Sequence, residues 1–578
     1  MSEKSAWRWL SPWRPKDTAG WTDIESCVET LHVKGVFART ERTGEYPLEV
    51  VRALWHVGAN DCFDPMPNNS RSSPLHACAL NELLARHSVS SAITVGINGL
   101  ALLPLFLWGT NAQRERASRD LREGKLAAFA LTERDKGSDV LANTGRADKT
   151  DTGYRLNGEK WLINGGRYHD QLMVLLRTGN FYAARATPAD FTLFYFERGS
   201  GVVAREKIPT APVRAADISG FALSNVDVGA DAVVGTVGEG FGLAQRALWV
   251  SRGGVGSIAS GVVTAARQVA HAHAATHALY GKPLSAIEAL SDNLLCLDAG
   301  ELTVAASAVR AAHAMNAFGP GAVHFTAVAK FLCCEVAERA VAAGRAVGSA
   351  RFMLASSPYE RLVRDVAILG VFEGTSHLML EQLQWHLAQM AELPLAARAD
   401  ATTMRSMYAC APTHLSQRAG TPRVFPDGPT LTASTARQTS SSVASLVPGL
   451  AEPLFELFQE LRATRIWQER GPIRLDMARA LAHLEGAQAL VELGDPSVRA
   501  WLEMPALIPD PLRRAAYPFA VVQEVVAACQ ALSSACASAD MTEAPQLRSL
   551  VQAATRAGAQ ARRDYAAVLL SLVPGATT

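Results

Sequence analysis

Apolar positions recur at spacings of three and four over residues 20–125: Val28 and Leu31, then Ala79, Leu80, Leu83 and Leu84, then the apolar segment 92–103. That period predicts helices rather than strands. It then changes. Residues 172–176 and 191–196 are short apolar or aromatic runs bounded by glycine and proline, as strands are. Residues 154–161 read as a hairpin turning at Asn157-Gly158, where positive φ is cheap. From Phe241 to about Met390 the helical period returns in alanine- and leucine-rich sequence, broken near Gly319-Pro320 and Ser357-Pro358.

Thr, Ser, Pro, Gly and Ala dominate from Arg398 to Gly449 with little apolar periodicity, which marks a linker. Beyond it Leu454, Leu457, Phe458 and Leu461 fall at i, i+3, i+4 and i+7, and Val522, Val525, Val526 and Cys529 repeat that spacing. The expected organisation is an N-terminal arm (1–19), a helical domain (20–125), a β domain (126–238), a helical bundle domain (239–397), a linker (398–449) and an extra helical domain (450–578). The fold class is mainly α with a β insert. Helices with one apolar face must bury it, so the last unit is expected to pack on the rest of the chain.

Composition narrows the class. At 578 residues the length suggests about three or four domains. Apolar residues make up 48% and charged residues 19%, enough for sizeable cores. Lysine plus arginine number 56 against 55 acidic residues, a balance that argues against a nucleic-acid binder. Nine scattered cysteines without a C-x-x-C pattern fit a reducing, cytoplasmic setting. The segment 91–108 contains Asn98, Gly99 and Pro104 and reads as a core helix rather than a membrane span. The basic, tryptophan-rich N-terminus lacks the apolar core of a secretory signal.

Three patterns are set aside. Residues 254–259 match a dinucleotide fingerprint in form, but they follow a helical run and not a strand, so close helix packing is expected there. His271, His273 and His277 lack a matching set of further ligands, and no metal site is expected. No G-x-S-x-G elbow offers a serine nucleophile. Two segments do carry chemistry. In 129–139, Thr132 and Ser138 offer hydroxyls and Gly137 permits close approach of a bulky ligand. In 364–376, Glu373 sits beside glycine and hydroxyls after an apolar run that can desolvate it. Taken bare, each is also compatible with a turn or a cap.

Together and in order, these segments resemble the acyl-CoA dehydrogenase family over roughly residues 20–395. The resemblance rests on Gly109-Thr-Asn-Ala-Gln113 with 121–124, the Thr132-Glu-x-x-x-Gly-Ser-Asp139 segment, and Gly158-Glu-Lys-Trp161-Leu-Ile-Asn164-Gly. It continues through Val237-Gly-Glu-Gly-Phe241, Arg252, Tyr280-Gly-Lys-Pro-Leu284 and Phe372-Glu-Gly-Thr375. It implies an N-terminal helical domain, a central β-barrel-like domain and a C-terminal four-helix bundle, with FAD between sheet and bundle and the extra helical domain appended.

The resemblance also implies the site. Phe129, Leu131, Thr132, Gly137 and Ser138 surround the flavin, Leu162, Ile163 and Asn164 back its ring, and Thr375 and His377 touch it. Ser138, Ser251, Arg252, Phe372 and Gly374 line the acyl-thioester site, and Glu373 is the base. Where the family has an arginine this chain has His277, and a Q-x-x-G-G-x-G segment reads Arg345-Ala-Val-Gly348-Ser-Ala-Arg351. Both segments reach the pyrophosphate of a neighbouring subunit's FAD in the family. A charge lost at 277 and gained at 345 implies an exchange of phosphate partners, the alternative being weak FAD retention.

Dehydrogenation at Cα–Cβ requires an acceptor for hydride, which no side chain provides and a flavin does. A carboxylate near pKa 4.3 is too weak a base for a carbon acid, so apolar surroundings such as Phe372 are expected to raise Glu373. In the family, enolate charge is met by the glutamate's backbone N–H and a flavin ribityl hydroxyl. The expected function is therefore conversion of an acyl thioester of coenzyme A or acyl carrier protein to its 2-enoyl form, within fatty acid metabolism. Electrons would pass to electron-transfer flavoprotein or a similar carrier. The alternatives are an oxidase reducing dioxygen to peroxide, a flavin monooxygenase, and a non-catalytic scaffold. A comparable C-terminal extension in a very-long-chain branch of the family replaces a second dimer pair, which implies a homodimer.

Overall fold

Six helices open the described chain: α1 (Trp21–Val33), α2 (Val36–Thr43), α3 (Leu48–His56), α4 (Pro74–Ala85), α5 (Val89–Trp108) and α6 (Asn111–Arg122). The computed structural model describes residues 20–66, 71–391, 407, 408, 410, 445–494, 510–539, 541 and 545–572; the N-terminal arm and most of the linker lie outside them. Local sequence sets the helix starts. Ser73 accepts from the His76 N–H with Pro74 in the first turn, and Ser88 accepts from the Ser91 N–H. Thr110 and Gln113 form a reciprocal capping box, and the Gln113 amide also donates to the Asp231 and Val233 carbonyls at 2.8 Å. That motif fastens α6 to the β domain. Long and apolar as α5 is, 78% of its most apolar stretch is buried, as expected of a core helix.

Eight strands follow: β1 (Ala127–Ala130), β2 (Arg146–Lys149), β3 (Gly153–Asn164), β4 (Gln171–Arg177), β5 (Phe191–Glu197), β6 (Val202–Arg205), β7 (Ile218–Gly229) and β8 (Val233–Val234). They form one sheet in the order β6-β7-β3-β2-β4-β5-β8, with β1 parallel to β4. Alternation divides the side chains. Ala128, Ala130, Leu172, Val174 and Leu176 pack in a core among the strands, while Phe129, Leu131, Met173 and Leu175 join the helical core.

The expected hairpin at Asn157-Gly158 is corrected. β3 runs straight through it, and the β2–β3 turn lies at 150–152, closed by Thr150 N–H on the Gly153 carbonyl at 2.9 Å. The Asn-Gly pair serves a bulge and a close approach instead. β7 carries an extra residue opposite it, where Asn225 (φ 51°) donates its N–H to Asn157 Oδ1. Gly158, at φ 142°, faces Gly145 so closely that a Cβ would stand 2.6 Å from the Gly145 Cα. Gly158→Ala is therefore expected to destabilise the protein by about 1–3 kcal/mol, read as a lowered denaturant midpoint at unchanged slope.

The bundle comprises α7 (Gly240–Thr276), α8 (Glu288–Phe318), α9 (Val323–Gly348) and α11 (Ser376–Ala391), with the short α10 (Pro358–Val366) between. The glycine-rich 254–259 segment lies inside α7, where a Cβ on Gly256 would touch Ala308, Ala329 and Cys333 at 3.4–3.5 Å, so it packs helices together. Nearby, His271 bonds Asp298 at 2.7 Å.

The last unit holds α12 (Leu446–Arg462), α13 (Ile466–Glu469), α14 (Gly471–Gly494), α15 (Pro511–Ser538) and α16 (Pro545–Ser571). It starts four residues ahead of the expected boundary because Leu446, Val447, Leu450 and Leu454 form one buried stripe. α14 lies against α8 and α11, and α15 against α8. Buried ion pairs cross this junction: Arg310 with Glu485 and Glu492, and Arg513 with Glu301 at 2.7 Å. By length and composition the α8–α9 stretch and α15 are also apolar enough to cross a membrane.

Candidate active site

A cavity of about 900 Å³ opens where the sheet meets α5 and the bundle. Glu373 stands on its wall in the tight turn between α10 and α11. Its backbone is left-handed (φ 58°), followed by Gly374 at φ 108°. A non-glycine residue there stores about 1–3 kcal/mol of strain and needs external support. Arg252 supplies it, donating from Nε to the Glu373 carbonyl at 3.1 Å and from a terminal nitrogen to Gln382 Oε1 at 2.6 Å. Lys330, buried on α9, bonds the Leu369 carbonyl and lies 5.1 Å from the Phe372 ring, holding the strand of the turn that leads to Glu373. A Cβ at 374 would come within 2.9 Å of Met379 and 3.2 Å of Arg252, so glycine is required.

The Glu373 carboxylate accepts a 2.6 Å hydrogen bond from the Ser251 hydroxyl. Burial raises its pKa above the ordinary carboxylate range, and the Ser251 bond and the Lys330 and Arg252 charges only partly oppose this. Burial likewise brings the Arg252 guanidinium down to about 10 and lowers Lys330. The result is a half-buried, raised-pKa carboxyl facing an apolar chamber, as proton abstraction from carbon demands. Asp365 does not share the cavity; it accepts from the Val213 N–H at 2.8 Å and pairs with Arg364 at 3.3 Å.

The same cavity gathers Phe129, Leu131, Thr132, Gly137, Ser138, Leu162, Ile163 and Asn164, together with Thr375, Phe372 and Gly374. Leu162 is there because β3 bulges: between Trp161 and Ile163 it gains one residue over β7, and Leu162 (φ 57°) is pushed out, 46% exposed. Thr132 donates to the Trp161 carbonyl at 2.6 Å, closing the wall. Asn164 donates to the Ile93 carbonyl at 3.0 Å, while its Oδ1 is buried without a partner. Open space lies over Gly137. A protruding leucine, an orphaned amide oxygen and an open glycine fit a flat, hydrogen-bonding ring system such as FAD carries.

Four expected cofactor residues lie elsewhere in the single chain. His277 stacks on His273 with ring centroids 3.8 Å apart, and His273 in turn meets Phe352. Gly348 ends α9 beneath the Phe352 ring, with Arg345 one turn earlier. These three form one cluster away from the cavity. His377 is exposed on the first turn of α11, 3.8 Å from Glu381. Conversely, Gln382 and a lobe around Cys62, Phe63 and Asn81 line the cavity, and Lys330 braces the turn that leads to Glu373; none of these was expected. A lone lysine in the apolar run Ala327-Val-Ala-Lys330-Phe-Leu was the available signal for the last.

Comparison with known proteins gives a consistent set. Residues 128–226 match the family model "Acyl-CoA dehydrogenase, middle domain" and residues 238–388 the model "Acyl-CoA dehydrogenase, C-terminal domain". A 3-(aryl)acrylate reductase of Clostridium sporogenes is 25% identical over 349 residues, covering 60% of this chain and 92% of that protein. The structure of butyryl-CoA dehydrogenase from Megasphaera elsdenii is similar at 26% identity and a TM-score of 0.57, covering 62% of this chain and 96% of that one. An acyl-CoA dehydrogenase complexed with FAD from Bacillus anthracis shares the fold over 98% of this chain and 96% of its own, at 16% identity and a TM-score of 0.73.

Proposed function

The chain belongs to the acyl-CoA dehydrogenase family, FAD-dependent oxidoreductases acting on CH–CH bonds, and on that footing we propose that it converts an acyl thioester to the 2-enoyl thioester with Glu373 as the base. The observation that carries this reading is the raised-pKa Glu373 carboxyl, bonded by Ser251 on a turn that Arg252 fixes, in the cavity that Leu162–Asn164 also line. FAD, when bound, supplies the acceptor for the hydride that leaves Cβ.

The chain's own groups do the rest. The thioester carbonyl is received by the Glu373 N–H, which acidifies the α-proton. Glu373, ionised, takes that proton. Ser251 eases the ionisation of the carboxylate, and Arg252 fixes the turn. Apolar walls at Phe372, Leu378 and Val255 exclude water from the enolate. The substrate carrier is coenzyme A or acyl carrier protein, the electron acceptor electron-transfer flavoprotein or a similar carrier, and the setting fatty acid metabolism. His277, Arg345 and Gly348, clustered away from the cavity, suit contact with the cofactor of a second copy, so a homodimer is the working assembly. Nine free cysteines suit the cytoplasm.

The test is absorbance in the visible flavin band of the purified protein, before and after anaerobic addition of a thioester panel. Bleaching by a saturated acyl thioester supports the reading; an unchanged band with every thioester sinks it. Peroxide formed per turnover in air separates a carrier-linked dehydrogenase from an oxidase.

A pH dependence follows from the geometry. Glu373 must be ionised, and its pKa lies above the ordinary value, so the reduction rate should rise with pH along a limb above the normal carboxylate range. Ser251→Ala removes a hydrogen bond to the ionised form, which moves the limb to higher pH while the plateau rate changes little. An unmoved limb would remove Ser251 from this role.

A further inference from the structure

The cavity has a lobe beyond Glu373, between α4, α5 and α7, lined by Cys62, Phe63, Asn81, Leu100, Leu103 and Ile258. Its walls are mostly apolar; Ser72 and Ser73, at the start of α4, also line the cavity but are hydrogen-bonded to the Asp64 carbonyl and to His76, which leaves Asn81 as the polar group without a partner. That side chain is 8% exposed, and its Oδ1 is buried with no hydrogen-bond partner. Two glycines face the amide. A Cβ on Gly96 would stand 2.8 Å from Asn81 Oδ1, and one on Gly254 3.2 Å from Nδ2. Gly96 cannot be replaced without moving the amide, and Gly254 leaves little slack.

An amide offers two donors and an acceptor, and an unpartnered one in an apolar wall is destabilising where leucine would fill the same space without that penalty. Its position gives the reason a function. Gly254 follows Ser251 by three residues on α7, about 4.5 Å along the axis. Ser251 bonds the Glu373 carboxylate, so the amide lies about one helical turn along α7 from the anchor of the proposed base, in the same cavity.

Resting on the dehydrogenation proposed above, we propose that the acyl group accepted here is oxygenated: it carries a hydroxyl or keto oxygen a few carbons beyond Cβ, which the Asn81 amide binds in the apolar lobe. A plain alkyl chain would strand that amide without a partner, and a site built to hydrogen-bond a substrate group discriminates against the analogue lacking it.

The experiment uses the FAD-loaded full chain. Anaerobic stopped-flow reduction is measured with octanoyl-CoA and with its 5-, 6- and 7-hydroxy derivatives, alongside dissociation constants for the same four chains with sulfur in place of Cβ, which cannot be dehydrogenated. At least one hydroxylated chain is expected to exceed the plain chain by about 10–100-fold in reduction efficiency and in affinity. Asn81→Leu is expected to erase that preference in the binding series. Equal affinity of the wild-type protein for all four chains overturns the proposal, as does a preference that survives in Asn81→Leu. If the leucine variant fails to fold, the wild-type series alone decides. Binding preference without flavin reduction by any chain upholds the oxygenated-ligand assignment and overturns the dehydrogenase reading instead.

Discussion

Replacing Glu373 by glutamine is expected to slow flavin reduction by an acyl thioester by about 10²–10⁴-fold while folding and FAD retention survive. Glutamine keeps the length and shape of the side chain, and its amide oxygen still accepts from the Ser251 hydroxyl. The turn is also preserved, because Arg252 bonds the backbone carbonyl of residue 373 and not its side chain. Only the basic oxygen is lost. No neighbouring carboxylate can replace it. Asp365 is buried away from the cavity with its own partners, and Glu133 is tied to Lys160 and to the Thr144 and Gly145 N–H groups, which hold its pKa down against burial. If Glu373 served only to end a helix, the glutamine protein would lose about 1 kcal/mol of stability and keep its turnover. Anaerobic stopped-flow bleaching of the variant decides, and a near-normal rate would refute the assignment of the base.

Much of this site was legible in the chain because its pieces are local. The 129–139 and 372–376 segments carry their own chemistry, the first running directly on from β1 and the second set in the turn that leads into α11. What could not be read is what depends on pairing. Asn157-Gly158 has the local chemistry of a turn, yet the glycine is needed because Gly145 packs on it from another segment, and only sheet register reveals that. The Leu162 bulge is likewise a mismatch of one residue between two strands, lying between pairs 59 (Trp161, Gly220) and 56 (Ile163, Ser219) positions apart in sequence, so no periodicity in β3 alone marks it. Ser251 was expected at the substrate; that it bonds the Glu373 carboxylate depends on α7 meeting the α10–α11 turn. The helical faces of the last unit predicted burial, while the choice of partners for Arg310 and Glu301 lay more than 170 residues away.

Arg310→Met should be among the most destabilising single changes in the protein, at about 3–5 kcal/mol. Arg310, on α8, is 3% exposed and bonds Glu492 through Nε at 2.9 Å and Glu485 through a terminal nitrogen, both on α14. Burial works to raise Glu485, yet the Arg310 charge and the His324 hydrogen bond bring its carboxyl down to about 2. Removing the guanidinium leaves two buried carboxylates without their cation, with His324 left on Glu485 and Tyr408 and Gln488 on Glu492, a far larger penalty than the loss of an exposed pair. The sign of the pH effect follows. A depressed folded pKa contributes stability that is fully present above the unfolded value of about 4.3 and is lost as pH falls toward about 2. Wild-type protein should therefore weaken over that acid interval, and Arg310→Met should lack that portion of the loss because it never holds Glu485 depressed. Adding Glu485→Gln and Glu492→Gln to Arg310→Met should recover part of the stability by removing the stranded charges. Thermal unfolding of the three proteins between pH 3 and 7 measures all of this. A single variant within about 1 kcal/mol of wild type would show that the α8–α14 junction opens to water, and that the C-terminal helices dock by their apolar faces alone.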